Sequence, residues 1–211
     1  PNRGWRAPGA TFNEWGFSVS SSDDQIGMTG GLVGWKLASQ AMALTGITTA
    51  NYQVAIPSHF KLYYAATAAA LTSAPTEITS AFSVNFGISD RRSLVRYIGK
   101  VDGSPSDVVE TTPGLTFGVT LADETGAVDT FLANARAGTK QFFRLRGLHP
   151  TAIEGAIFPE FTLDVCAVLG DSPSVDDTDG VQSVTLPYQC AYDSTWANIF
   201  LITCVNNKLT V

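Results

Sequence analysis

The sequence predicts a mainly β protein, an antiparallel sandwich or barrel flanked by one short α-helix, and three observations lead there. Several segments alternate apolar and polar residues with a period of two, as side chains do when they leave a strand towards opposite faces. A single segment, Asp123–Arg136, has helical periodicity instead. The connections are rich in Ser, Thr and Gly, as between the strands of antiparallel layers. With 211 residues, the chain is long enough to bury roughly 70% of its extended surface.

In chain order, Pro1–Thr11 (PNRGWRAPGAT) is rich in Pro and Gly and carries Arg3 and Arg6 around Trp5, which predicts an extended arm rather than an element. Trp15–Ser21 reads as a strand, and Asp23–Gly31 contains turn residues. Leu32–Leu44 fits either a helix with Leu32, Trp35, Ser39 and Met42 inward or a pair of strands, and its β surroundings favour strands. Pro57–Ala65 places Phe60, Leu62 and Tyr64 on one strand face. Pro75–Ser89 reads as one further strand with Ile78, Phe82, Val84 and Phe86 apolar. Turn signals at Asp102-Gly103 and Pro113-Gly114 make Lys100–Gly114 a candidate boundary.

The second half is better patterned. Leu115–Leu121 alternates, and the helix after it, about 125–137, sets Val128, Phe131, Leu132 and Ala135 on one apolar stripe for docking on a sheet, with Asp129 and Asn134 pointing away. Asp123, Glu124 and Thr125 suit the positive N-terminal end of that helix, and Gly138 suits the left-handed position past its last turn. Gln141–Arg146 alternates. So do Phe161–Leu169, with Phe161, Leu163 and Val165 on one face, and Val184–Tyr192, with Val184, Leu186 and Tyr188 on one face. Gly170–Val181 (GDSPSVDDTDGV) between them reads as an acidic loop, longer than the about two to five residues usual in a hairpin. The closing strand, Ile199–Val205 (IFLITCV), is apolar on both faces and demands cover on both.

Hydrophobic residues make up 45% and charged ones only 15%, against a typical quarter. A surface so poor in charge is suited to cover by further copies of the same chain. The formal charge of −6 is unevenly spread, since residues 1–100 hold eight Lys and Arg against five acids (+3) and residues 101–211 hold five against fourteen (−9). Opposite halves suit head-to-tail association.

The residues point away from catalysis. His59 and His149 are the only imidazoles, each beside a Pro-containing turn and without a spaced Cys, Asp or His partner for a metal. Cys166, Cys190 and Cys204 are odd in number and lack CxxC spacing, so they read as small buried hydrophobes rather than a disulfide framework or zinc site. Asp176-Asp177-Thr178-Asp179-Gly180 fails as a calcium loop, because aligning Gly180 with the loop's invariant glycine puts Val175 and Leu186 where carboxylates are needed. There is no phosphate-binding glycine motif, no nucleophile elbow and no basic stripe with interleaved aromatics. The longest apolar run, Leu62–Leu71, is too short to span a bilayer. No enzyme activity, cofactor, metal or membrane partner is therefore expected.

The order of the pieces LTFGVTL, GAVDTFLANARAG, TKQFFRLRG, FPEFTLDVCAVLG, an acidic loop, VQSVTLPYQCAYDSTW and IFLITCVNN resembles the tail tube proteins of long-tailed bacteriophages. The resemblance covers Phe60–Asn207 and is strongest after Leu115. It divides the chain into an N-terminal arm with an extra β element, residues 1–59, and a tail-tube-like domain, residues 60–211. It implies homohexameric rings whose inner sheets join into a barrel and stack into a tube, in the tail of a virion made in the host cytoplasm. Viral DNA would pass through the lumen without specific binding, and a tail terminator, a tape measure and baseplate proteins would be partners. Phe161, Leu163, Val165, Val184, Leu186 and Tyr188 then mark candidate lumen or barrel strands, and Asp171, Asp176, Asp177 and Asp179 an inter-ring loop. Arg3, Trp5 and Arg6 belong to the arm that the resemblance does not reach.

Two other classes fit the same composition. One is a different virion β-sandwich, such as a capsid decoration or baseplate part. The other is a carbohydrate-binding module with Trp5, Trp15, Trp35 and Trp196 as stacking platforms, although four tryptophans spread over the chain suit core and interface anchors better.

Overall fold

The computed structural model describes residues 3–6, 11–23, 26–33, 38–41, 56–98, 106–123, 127–152 and 156–205. The first half contains strands β1 (Arg3–Arg6), β2 (Thr11–Ser20), β3 (Gly27–Val33) and β4 (Ala38–Ala41). A single 3-10 turn, Pro57–His59, leads into β5 (Phe60–Ala65), helix α1 (Ala68–Ser73), β6 (Thr76–Ile78), β7 (Ala81–Ser89) and β8 (Arg92–Val95). Then follow β9 (Asp107–Glu110), β10 (Gly114–Ala122), helix α2 (Ala127–Arg136), β11 (Gln141–Leu148), β12 (Glu160–Leu169), β13 (Ser174–Thr178), β14 (Val181–Cys190) and β15 (Phe200–Val205). The protein is mainly β with antiparallel pairing, as the alternation predicts.

Eleven strands form one hydrogen-bonded sheet in the order β3-β2-β7-β10-β14-β12-β11-β5-β6, with β13 added to β14 and β15 added to β12. Two further pairs, β1 with β4 and β8 with β9, form two-stranded sheets of their own. The chain forms two compact units, one of Pro1–Gly16, Met28–Gln53 and Gly87–Gly114, the other of Phe17–Gly27, Val54–Phe86 and Leu115–Val211.

In the larger unit the sheet folds back on itself. Strand β12 pairs along Glu160–Val165 with β15 and only at Ala167–Leu169 with β14, so the sheet turns a corner at those residues. Aromatic rings then meet across the two layers. Phe17 on β2 stacks 4.9 Å from Phe161 on β12, Phe86 on β7 lies 5.2 Å from Phe200 on β15, and Phe117 on β10 lies 5.2 Å from Phe143 on β11. Val119, Leu121, Leu145, Leu163, Val165 and Leu186 fill the space between them, each at most 2% exposed. Such burial stabilises the fold by roughly 1.5–3 kcal/mol per large side chain before ordering entropy is subtracted.

Helix α2 closes this core as its stripe predicts. Val128 and Phe131 are buried, Leu132 is half-buried, and the Phe131 ring meets Tyr64 edge-on at 5.0 Å. The side chain of Ala135, and residues Glu124 and Thr125, lie outside the described residues. Gly138 takes φ +62°, and the Thr139 amide donates to the Asn134 carbonyl at 3.0 Å, which ends the helix by satisfying a free carbonyl. Asn134 corrects the expectation that it points away, since its side-chain amide donates to the Tyr64 hydroxyl at 3.0 Å.

Four other expectations change. The N-terminal arm contains a strand, β1, paired in register with β4 from Arg3 opposite Ala41 to Arg6 opposite Ala38; backbone pairing of four residues needs no alternation to reveal it. Pro75–Ser89 is two strands, β6 and β7, separated at Thr79-Ser80. A second helix, α1, follows β5, started by Thr67, whose hydroxyl accepts from the Ala70 amide at 3.2 Å. The acidic segment is no long loop, because Ser174–Thr178 pairs with Val181–Thr185 in a tight hairpin. Asp179 and Gly180, at φ 55° and 79°, supply the two left-handed residues that such a turn requires.

Candidate assembly surfaces

The larger unit presents two chemically different surfaces around its core. Odd-numbered positions of β12 and even-numbered positions of β14 point into the sandwich, so Leu163, Val165, Val184, Leu186 and Tyr188 are all buried and Phe161 is half-buried. The other face of β12 carries Glu160 and Thr162, both half-buried, and Asp164, which is buried.

That outer face carries a ladder of ion pairs that sequence reading did not single out. Arg144 on β11 stands directly opposite Asp164 on β12 and grips it in bidentate fashion, with both N–H···O distances 2.7 Å. Arg146 reaches Glu160 at 2.7 and 3.3 Å, and Lys61 on β5 reaches Glu77 on β6 at 3.0 Å. The hydrogen bonds from Arg146 hold the Glu160 carboxyl below its ordinary value. Each of these three cations is thus matched by a carboxylate of its own sheet. The alternation of Arg144 and Arg146 with Phe143 and Leu145 was the available signal.

The four acidic residues occupy exposed positions: Asp171 just past β12, Asp176 and Asp177 on β13, and Asp179 in the turn. Three of them spend one oxygen on local backbone. Asp171 accepts from Ser172, Asp176 from Asp177, and Asp177 from Gly180, each at 2.8 Å. Among the described residues no group of three or more His, Cys, Asp and Glu is arranged to hold a metal ion.

His59 and His149, separate in sequence, come together with ring centroids 5.1 Å apart, because Phe60 and Gly147 are cross-strand partners. The His149 Nδ1 accepts from the Thr151 amide at 3.1 Å. Burial pushes the Cys166 thiol up to about 11 and the Cys190 thiol up to about 12, which fits packing roles and not nucleophiles.

No protein-family model matches the chain, and no curated protein matches its sequence.

A cleft of about 690 Å3 beside Trp196 is lined by Thr67, Thr139, Lys140, Phe142 and Asp193. Its charged groups are engaged within the chain. Lys140 donates to the Tyr192 carbonyl at 2.9 Å and lies 3.5 Å from Asp193, whose other oxygen accepts from the Thr195 and Trp196 amides. The Trp196 amide, with Lys140 adding to it, holds the Asp193 carboxyl below its ordinary value. The indole packs edge-on to Phe142 in a cluster with Ala65, Leu71 and Cys166. Trp196 is therefore part of the packing under α1. Trp15 is half-buried, while the side chain of Trp5 and all of Trp35 lie outside the described residues. So do the side chains of Arg3 and Arg6.

Strand β15 is where expectation and structure part most usefully. Its sequence demands cover on both faces, yet Leu201 is 45% and Val205 38% exposed, and Cys204 is exposed. Among the described residues β15 pairs with β12 alone. It carries no charge, proline or bulge of the kind that protects an edge from pairing with another chain.

Proposed function

We propose that this chain is a self-assembling structural subunit, and specifically the repeating subunit of a bacteriophage tail tube, whose rings stack into a conduit for genome delivery. The observation that carries the self-assembly reading is β15, an apolar edge strand that no other described residue of its own chain pairs on its outer side. An exposed edge of this kind is normally selected against unless something pairs with it. The low charge content and the oppositely charged halves of the sequence support the same reading.

The step from self-assembly to tail tube rests on the order of elements that resembles that family. Its support here is a β-sandwich closed at its core by one docked helix, α2. The ion-paired outer face of β5, β11 and β12 suits a surface passed by DNA. A protein grips nucleic acid by neutralising phosphates with free Lys and Arg, and Lys61, Arg144 and Arg146 are already neutralised.

Negative-stain electron microscopy of the purified protein, with light scattering on the same sample, tests the proposal. Rings or hollow tubes of uniform width are the expected result. Compact particles without a lumen overturn the conduit, and a monomer at every concentration up to the solubility limit overturns self-assembly.

A further inference from the structure

Among the outer strands of the large sheet in the described residues, β3 and β15 are the two without charge, proline or brevity to guard their edge. Among the described residues each is paired on one side only, β3 with β2 and β15 with β12. Each is long enough to template a partner, at seven and six residues, and each is free of charge and proline. The remaining outer strands are guarded. Strand β13 carries Asp176 and Asp177, and β6 has three residues, one of them Glu77. Charge and brevity are the ordinary ways of keeping an edge from pairing.

The pairing of β15 also shows which of its backbone groups are open. The Cys166 amide donates to the Ile199 carbonyl at 2.9 Å, so Leu201, Thr203 and Val205, an even number of residues further on, turn their amides and carbonyls towards β12. Phe200, Ile202 and Cys204 turn theirs to the open side. Both strands also expose apolar side chains, Leu201 and Val205 on β15 and, on β3, Met28 and Leu32 at 66% and 61% exposed.

We propose that the open edge of β15 pairs with the open edge of β3 of a second copy of this chain. This gives the proposed ring its seam, and so rests on the self-assembly reading. The contact is asymmetric, and such contacts repeat head to tail and close into rings when the rotation allows. Charge selects it over a symmetric pairing of β15 with β15. Strand β3 belongs to the half of the sequence with net charge +3 and β15 to the half with −9. A symmetric contact would bring together two copies of the half with net charge −9.

The test uses the full chain and sedimentation velocity, with circular dichroism and thermal melts to show that each variant folds. Leu201→Lys and Leu32→Lys each place a charge on one edge at an exposed position. Each is expected to raise the concentration for half-assembly roughly tenfold or more, since the contact would desolvate the ammonium. Combining Leu201→Lys with Leu32→Glu is expected to recover much of the loss. A short bis-maleimide is expected to link Met28→Cys chains to the Cys204 of neighbours, in a ladder that Cys204→Ser removes. Loss of assembly in Leu201→Lys with none in Leu32→Lys overturns the proposal in favour of symmetric β15 pairing. No effect of either, or a wild-type protein that remains monomeric, overturns it outright. Rings that form through this seam but never stack keep the contact and overturn the tube, whereas tubes that persist in both lysine variants do the reverse.

Discussion

The Tyr188 hydroxyl donates a 2.8 Å hydrogen bond to Oε1 of Gln141, joining β14 to β11 where Tyr188 is 2% and Gln141 1% exposed. Burial raises the Tyr188 pKa above its ordinary value, which favours the protonated, donating hydroxyl. Tyr188→Phe leaves the Gln141 oxygen buried without that donor. The expected loss is about 1–3 kcal/mol in chemical denaturation. Gln141→Leu added to Tyr188→Phe is expected to return part of it, because removing both partners removes the unpaired group. Additive losses in the double-mutant cycle would show that the two residues do not act as a pair.

Glu160 predicts a dependence on acid. Its carboxyl is held below the ordinary value, first by the Arg146 hydrogen bonds. A folded-state pKa below the unfolded one contributes stability that is present above the unfolded value and is lost as pH falls through the folded value. Wild type is therefore expected to lose more stability than Glu160→Gln as pH drops from neutrality to below 4.5, the unperturbed value. Parallel curves for the two proteins in urea titrations at several pH values would refute this.

The thiols should divide into two classes. Cys166 and Cys190, pushed up to about 11 and about 12 by burial, are expected to resist a thiol reagent at pH 8, while exposed Cys204 in the unassembled protein reacts at once. The measurement is the count of fast-reacting thiols before and after denaturation. One rising to three is the expected outcome.

Asp176→Lys tests the acidic hairpin. Its side chain is exposed on β13 and, among the described residues, bonds its neighbouring amide alone, so the melting transition of the unassembled subunit should move by no more than about 0.5 kcal/mol equivalent. If the hairpin touches a neighbouring ring, the same change should shorten or abolish tubes in electron micrographs. Unchanged tubes remove the hairpin from the interface.

Local pattern determined a good deal. Alternation placed Leu163, Val165, Val184, Leu186 and Tyr188 inside, because a strand sends consecutive side chains to opposite faces whatever it pairs with. The apolar stripe of α2 likewise found Val128 and Phe131, and Gly138 marked its end. The acidic segment differs from the long loop expected of it, because Asp179 and Gly180 take left-handed conformations and close a hairpin with a charged outer strand.

Tertiary structure decided the rest. The bidentate grip of Arg144 on Asp164, the meeting of His59 with His149 and the pairing of β1 with β4 all join residues by strand register. Register across long connections follows from the packing of the whole layer and leaves no mark in either segment alone. The sequence likewise determined that β15 is apolar on both faces, and only the fold left its outer edge unpaired among the described residues, since an edge exists only once the other strands have taken their places in the sheet.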